Sequence, residues 1–455
     1  MEINSSFLNR VYNSDFLAPD INGKYVIYWM NKSLRYNYNF ALKTAIYSAN
    51  QNDLPLLSIY FITPFFKSLQ LRQQIFIMQG LLELQKIFIK NNLTLLIMDW
   101  NKINLQRVCK KASLVVTEFP YLKENKNILN EFMKSTKLTP VLVDSETAIP
   151  WFIASQKEEY SAATLRRKIT KYLPEYLLVD KKFELNYKNY DFSPFIKDQF
   201  NLIKYHNECI ENINLSEPYY MHSFTGGYSQ AISRLHLFIE KKIDRYAELR
   251  NDPSLEFSSD LSPYLRCGMI SPVEIAIRIS EMKETNHDKF LDELIIRREL
   301  SINFVIYNNQ YNSVKCLPTW AYKTLHENII FNRDYVYSLS QFESAATHDV
   351  YWNTAQNEMK KTGKMQAYMR MYWGKKIIEW TETPEKAFSF MVYLNNKYSL
   401  DGNDPNSYAG IAWCFGKHDR AFKERKVFGK IRYMNDKGLK RKFDIDQYVK
   451  KIQFL

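Results

Sequence analysis

Short apolar runs rich in β-branched residues punctuate the first part of the chain: Tyr25–Met30, Leu56–Phe61, Leu93–Met98, Leu114–Thr117 and Pro140–Val143. Between them, apolar positions recur every three to four residues, the spacing of a helix face. Leu71–Lys90 is the clearest case, with Ile75, Met78, Leu82 and Ile87 returning to one side. Runs that are apolar on both faces and separated by helices predict a parallel, doubly wound sheet. From Trp151 the strand-like runs stop. Long amphipathic stretches then continue to Lys451, broken at Asp252-Pro253, Ser262-Pro263, Ser271-Pro272 and Asp404-Pro405. The pattern predicts an α/β, Rossmann-like domain over 1–147, a partly helical connection over 148–216 and an all-helical domain over 217–455.

Composition narrows the class. Of 455 residues, 46% are hydrophobic and 24% charged, which excludes wholesale disorder. No apolar run approaches the ~18 residues of a membrane span. The start, Met1-Glu2-Ile3-Asn4-Ser5-Ser6, lacks the pattern of a signal peptide. A soluble, intracellular protein is therefore expected. Cys109, Cys209, Cys267, Cys316 and Cys414 lie too far apart for a zinc ribbon or a disulfide framework. Only 12 glycines are present, and neither a dinucleotide fingerprint nor a Walker loop opens the predicted sheet.

Charge points to a partner. The formal net charge is +13, a surplus that favours polyanions. Lys417–Lys451 holds 13 Lys/Arg against 5 Asp/Glu, interleaved with Phe422, Phe428, Tyr433, Phe443 and Tyr448. Cations beside stacking rings suit a nucleic-acid surface, and a solvated basic helix is the alternative. Metal chemistry is not expected. His348-Asp349 and His418-Asp419 stand alone, and the histidines at 206, 222, 236, 287, 326, 348 and 418 are scattered. Gly410 to Gly416-Lys417 has one residue too many for a Walker loop, and His418 stands where Ser or Thr would bind magnesium.

Five segments of the helical part carry a sharper signal. They are Asp292-Glu-Leu-Ile-Ile-Arg-Arg-Glu-Leu300, His348-Asp-Val-Tyr-Trp-Asn-Thr-Ala-Gln356, Gly363-Lys-Met-Gln-Ala-Tyr-Met-Arg-Met-Tyr-Trp373, Leu394-Asn-Asn396 through Asp401-Gly-Asn-Asp-Pro-Asn406, and Phe428-Gly-Lys-Ile-Arg-Tyr-Met434. In this order, and with Tyr25-Val-Ile-Tyr-Trp-Met-Asn-Lys-Ser-Leu-Arg35, the chain resembles class II cyclobutane pyrimidine dimer photolyases over nearly its whole length. These are flavin enzymes that split ultraviolet-induced thymine dimers with light. Their fold, an α/β domain followed by a helical FAD domain, agrees with the independent pattern above.

The resemblance implies FAD, active in its anionic reduced form. It assigns Ser258, Ser259, Leu261 and Ser262 to the flavin phosphate loop, with Tyr246 nearby. Hydroxyls before a Pro-initiated turn offer donors to a diphosphate, although an ordinary helix cap has the same residues. Arg297, Arg370, Asp401 and Asp404 are implied around the isoalloxazine, ribityl chain and adenosine, and Asn395 beside the flavin N5 atom. A neutral amide there accepts from N5–H without adding negative charge. Glu293 matches the carboxylate that meets the pyrimidine carbonyls, a role suited to a protonated acid in an apolar, ring-lined site.

Trp373, Trp352 and Trp380 match the family's electron chain, with Trp373 nearest the flavin, then Trp352, then an exposed Trp380. Two helical turns, ~10 Å, separate Trp373 from Trp380 along one face. Trp413 and Met371 are implied to cradle the lesion. Arg420, Phe422 and Arg432 are implied to fill the gap left by the flipped dimer, Lys440 and Arg441 to face DNA, and Arg250 and Asp419 to pair and close the site. Phe422 stands where tryptophan is common, and Ile296 where many photolyases outside this class place a dimer-contacting tryptophan.

The implied activity is light-driven repair of cyclobutane pyrimidine dimers in duplex DNA by a monomer. An antenna chromophore, a deazaflavin or a folate, is implied in the N-terminal sheet. A photoreceptor without repair activity, an enzyme for the (6-4) photoproduct, and a plain basic DNA-binding helical protein are the alternatives.

Overall fold

The computed structural model describes residues 5–455 except 182, 187–189, 218–219, 221–222 and 283–285, so His222 lies outside the described residues. Strands form where the apolar runs fall: β1 (Tyr25–Met30), β2 (Leu56–Ile62), β3 (Leu95–Asp99), β4 (Ala112–Glu118) and β5 (Val141–Val143). All pair in parallel, in the order β3-β2-β1-β4-β5. Only the ends shift. Leu93 closes the turn before β3, its N–H bonding to the Phe88 carbonyl at 2.9 Å, and Pro140 has no N–H to start β5.

Both faces of the sheet are covered. Val26, Tyr28 and Met30 join the core of α1 (Phe40–Gln51) and α2 (Leu71–Lys90). Tyr25, Ile27 and Trp29 join that of Leu129 and Phe132 from α3 (Lys123–Thr136). Double burial explains why these runs show no polar alternation. The strand order reverses between β1 and β4, and in such sheets ligands settle beyond the strand C-termini at that point. A cavity of about 910 Å³, its open mouth included, lies there between Trp29, Tyr60, Phe61 and Tyr121 on one side and Arg266 and Asn403 on the other.

Past Val143 the described residues form helices and loops, with no further strand. No helix among them is long and apolar enough to cross a membrane. A second core gathers around Trp352 and Trp373, drawing on α4 (Val350–Thr362), α5 (Ala367–Glu379), α6 (Pro384–Tyr398) and α7 (Pro405–Cys414).

Buried polar groups join the sheet to the helices. Arg35 and Glu146 pair at 2.6 Å with neither side chain exposed, and Arg35 also donates to the Gly268 carbonyl at 2.9 Å. Glu299 accepts from the Ala148 and Ile149 N–H groups at 2.6 and 3.3 Å. Its second oxygen is buried without a partner, and burial pushes the carboxyl up to about 8. From α2, Arg72 donates to the carbonyls of Met359 and Tyr398 at 3.3 and 3.2 Å, and Gln73 to those of Asn396 and Ser399 at 2.9 and 2.7 Å. The ends of α4 and α6 are thus tied to the sheet side.

Candidate active site

α4 and α5 meet at Gly363, whose φ of 74° makes a left-handed cap, with its N–H on the Met359 carbonyl at 3.0 Å. Asp349 caps the other end of α4, accepting from the N–H groups of Tyr351 and Trp352 at 2.9 and 3.0 Å. The tight connection lays the two helices side by side. Trp352 then stacks on Trp373, with ring centroids 6.3 Å apart and planes within 8°. Trp380 meets Trp352 at 6.2 Å, edge to face. Hydrogen bonds fix the pair: Trp352 Nε1 donates to the Trp373 carbonyl at 3.0 Å, and Trp373 Nε1 to Gln356 Oε1 at 2.9 Å.

The expected exposure of Trp380 does not hold. It is 3% exposed, because the chain before α4 folds over it. Tyr337 N–H donates to the Trp380 carbonyl at 3.0 Å, and the rings of Tyr337 and His348 lie 5.7 and 4.8 Å from the indole.

Asn395 is buried near the end of α6. Its Nδ2 donates to Asn396 Oδ1 at 3.3 Å, and among the described residues its Oδ1 has only the Ser399 hydroxyl, at 3.4 Å. Arg370, on α5, pairs with Asp401 at 3.1 Å, and Ser262 Oγ donates to the same carboxylate at 2.8 Å. Asp404 is engaged differently. Buried at the start of α7, it caps that helix and pairs with Lys32 from the sheet side at 3.3 Å. Burial works to raise its pKa, but Lys32, Arg298 and the Asn406 hydrogen bonds outweigh it and hold it below the usual range. Leu261 is buried, Ser258 and Ser259 are half-buried, and Tyr246 packs between Phe238 and Phe290.

Whether these residues suit a flavin dinucleotide is decided by their charge and their unpaired atoms. Arg370 Nε is buried without a partner. Beside the Ser258 loop, Lys364, Lys242 and Arg234 converge on Asp260, the latter two at 3.8 and 4.0 Å. Lys364 also donates to Ser258 Oγ at 3.1 Å, and Lys242 to the Ser258 carbonyl at 3.3 Å. Desolvation first, then Lys242, pushes the Lys364 ammonium below its usual range against the pull of Asp401. Lys364, Lys242, Arg234 and Arg370, with Lys451 paired to Glu256 beside them, face Asp260, Asp401 and Glu256, and the basic surplus suits an anionic diphosphate. The residues fit. The sequence reading passed over Lys364, Lys242, Arg234 and Asp260. Lys364 lay inside the Gly363–Trp373 motif, but nothing in a linear pattern shows that Arg234 and Lys242 return to it.

Glu293 sits on a π-helical turn, Asp292–Arg297, a rare geometry concentrated at functional sites. Arg250 approaches its carboxylate at 3.0 Å and Lys289 at 2.9 Å. Cations surround it, not the apolar rings expected for a protonated acid. The expected Arg250–Asp419 pair does not form. Arg250 turns to Glu293, and Asp419 holds Arg432 at 3.2 Å. Arg297 is exposed and pairs with Asp292 at 3.8 Å, while Ile296 is buried.

Met371 Sδ lies 3.9 Å from Cys414 Sγ, and Trp413, the next residue on that helix, is half-buried. Gly374 permits this approach: a Cβ there would stand 2.6 Å from Cys414 Sγ. The Phe422 ring lies between two guanidinium groups, Arg432 at 4.7 Å and Arg420 at 5.5 Å. Lys440 and Arg441 are exposed on the helix Asp436–Lys442.

The family profile for DNA photolyase matches residues 26–185. A deoxyribodipyrimidine photo-lyase from Methanothermobacter thermautotrophicus is 42% identical over 447 residues, covering 98% of this chain and 98% of that protein. The chain belongs to the DNA photolyase family. In fold it is similar to a class III photolyase from Agrobacterium tumefaciens, at a TM-score of 0.74 and 17% identity over 94% of this chain and 86% of that one. It is also similar to a Sulfolobus tokodaii photolyase solved with two FAD molecules, at 0.69 and 13% over 94% and 89%.

Proposed function

We propose that this chain is a light-driven lyase that repairs cyclobutane pyrimidine dimers in DNA, a class II member of its family working with FAD. One observation carries the reading. Arg370 and Trp373 lie one turn apart on α5, so the unpartnered guanidinium nitrogen and the inner end of the indole ladder share a face.

Bound, reduced and illuminated, FAD would supply the one-electron chemistry that opens the cyclobutane ring. The chain does the rest. Ser258, Ser259, Leu261 and Ser262, with Lys364 and Lys242, hold the diphosphate. Arg370 and Asp401 would hold the polar edge of the flavin, and Asn395 would offer its carbonyl to N5–H, since among the described residues that oxygen has only one long contact. Trp373, Trp352 and Trp380 carry electrons inward to keep the cofactor reduced.

The dimer must leave the duplex to reach this site. Trp413 and Met371 give it an apolar wall. Glu293, an acceptor between two cations, receives the pyrimidine N3–H groups, while Arg250 and Lys289 offer donors to the carbonyls. Phe422, held between Arg420 and Arg432, enters the vacated stack, and Lys440 and Arg441 contact phosphates. The cavity beyond β1 and β4, with its rings and Arg266, takes a planar antenna chromophore.

The absorption spectrum of the native protein, taken before and after illumination with a reductant, tests the reading. Flavin bands that bleach in the light are expected, and a colourless protein would sink it.

A further inference from the structure

Glu293 on its π-helical turn and Phe422 on the loop after α7 come from distant parts of the chain, yet one short segment bonds to both elements. At one end of it Arg166, on the helix Ala162–Ile169, donates through Nε and Nη2 to Asp292 Oδ1 at 2.9 and 2.5 Å. Asp292 precedes Glu293 on the same turn. At the other end the Tyr160 carbonyl lies 2.9 Å from His418 Nδ1, the Tyr160 hydroxyl donates to the Asp419 carbonyl at 3.3 Å, and Glu158 pairs with Lys417. The middle is fixed. Glu159 N–H donates to Asn303 Oδ1 at 2.7 Å, and its carboxylate, 3% exposed, takes the Ser155 hydroxyl at 2.6 Å. The Tyr307 hydroxyl donates to the Ser155 carbonyl at 2.8 Å. Asn303 and Tyr307 lie on the helix Arg298–Tyr307, which continues the π-helical turn without a break. The segment is thus bolted to the element that carries Glu293 and reaches across to the loop that carries Phe422.

His418 completes the reach. A carbonyl only accepts, so Nδ1 carries the proton, and Nε2 is left buried without a partner among the described residues. Burial pushes the ring down to about 4, with Lys417 and Arg297 adding to it and the Tyr160 carbonyl and Glu158 opposing, so the imidazole is neutral. Phe304 meets it edge to face at 5.8 Å. Its backbone is left-handed, at a φ of 58°, a conformation that histidine and asparagine adopt more readily than most residues.

We propose that Arg166 and His418 are positioning residues that set the register between Glu293 and the Phe422 loop, with residues 158–166 as the brace between them, and that this register selects dimer-containing over intact DNA. The inference rests on the function proposed above. A base stacked in an intact duplex offers neither a pyrimidine edge to Glu293 nor a gap to Phe422, so only a flipped dimer gains from having both aligned at once. A break at either end of the brace therefore costs the same thing.

Competition binding in the dark tests this, with the flavin-loaded full chain and duplexes with and without one thymine dimer. His418→Gly and His418→Asn both suit the left-handed backbone, but only asparagine returns a donor near the Nδ1 position. His418→Gly should lower the preference for dimer DNA about tenfold, the value of one misaligned charged hydrogen bond at Glu293, with flavin content and affinity for intact DNA unchanged. His418→Asn should restore the preference. In the light, repair per bound duplex at saturating protein should stay at the wild-type level in His418→Gly, while the concentration for half-maximal repair rises. Arg166→Met should behave alike, and the double variant should stay near tenfold, short of the roughly hundredfold of independent sites. Wild-type preference in His418→Gly or Arg166→Met, a hundredfold loss in the double variant, or a His418→Asn protein no better than His418→Gly would overturn the proposal. So would loss of flavin, or of affinity for both DNAs alike, which mark a merely structural role. A wild type with no preference for dimer DNA would instead overturn the function on which the proposal rests.

Discussion

Buried charge is handled in opposite ways in the two halves of this chain. Where the sheet meets the helices no charge is in excess: Arg35 and Glu146 are fully enclosed as a pair, the guanidinium is shared with Gly268, and Glu299, one oxygen held by two backbone N–H groups and the other unpartnered, is pushed up to about 8 by burial. Around Ser258 and Arg370 it is open, with cations in excess and one guanidinium nitrogen unpartnered. The first pattern serves the fold, because any loss leaves an uncompensated ion. The second is incomplete without a ligand, which is how a binding site differs from a structural pair.

Substitutions can break that contrast. Arg35→Met removes one partner of an enclosed pair and should cost about 3–5 kcal/mol of stability in chemical denaturation. A small loss would mean that the junction is not closed. Glu299 adds a pH signature. Its carboxyl is raised from 4.5 to about 8, so between those values the folded state holds more protons than the unfolded one. Its contribution is complete below the unfolded value and is lost as pH rises through about 8. Glu299→Gln keeps an acceptor for Ala148 and Ile149, and stability measured across that range should lose this part of its slope.

The open half should respond the other way. Lys364→Met should change the stability of flavin-free protein by less than about 1 kcal/mol. It should also weaken flavin retention about tenfold, as read by equilibrium dialysis. Glu293→Gln should leave the flavin spectrum unaltered and reduce the preference for dimer-containing over intact DNA by about tenfold, close to the value of a charged hydrogen bond. Smallest of all, Lys440→Ala should weaken binding to any sequence alike and lower the slope of log affinity against log salt by about 1.

The same contrast sets what a linear pattern can reveal. The strands from Tyr25 to Val143 were legible because each is buried on both faces by local helices, so composition alone marks them, and the helix Leu71–Lys90 has the bounds its periodicity gives. The cavity at their ends was not, since its lining comes from many separate segments, Arg266 and Asn403 among them. In the helical half the three indoles were found through motif resemblance, and the structure does bring them together. Their surroundings were not found. Trp380 is covered by a segment whose fold depends on the Tyr337 backbone bond, and Arg250, implied to pair with Asp419, turns to Glu293. Side-chain pairing across long loops is a tertiary outcome that neither spacing nor charge announces.

The decisive measurement is made on an oligonucleotide duplex carrying one thymine dimer, incubated with the reduced, flavin-loaded protein. Blue or near-ultraviolet light should restore two intact thymines, with the dark control unchanged and no net oxidation of the protein. Dimers that survive illumination of fully reduced, DNA-bound protein would contradict the account.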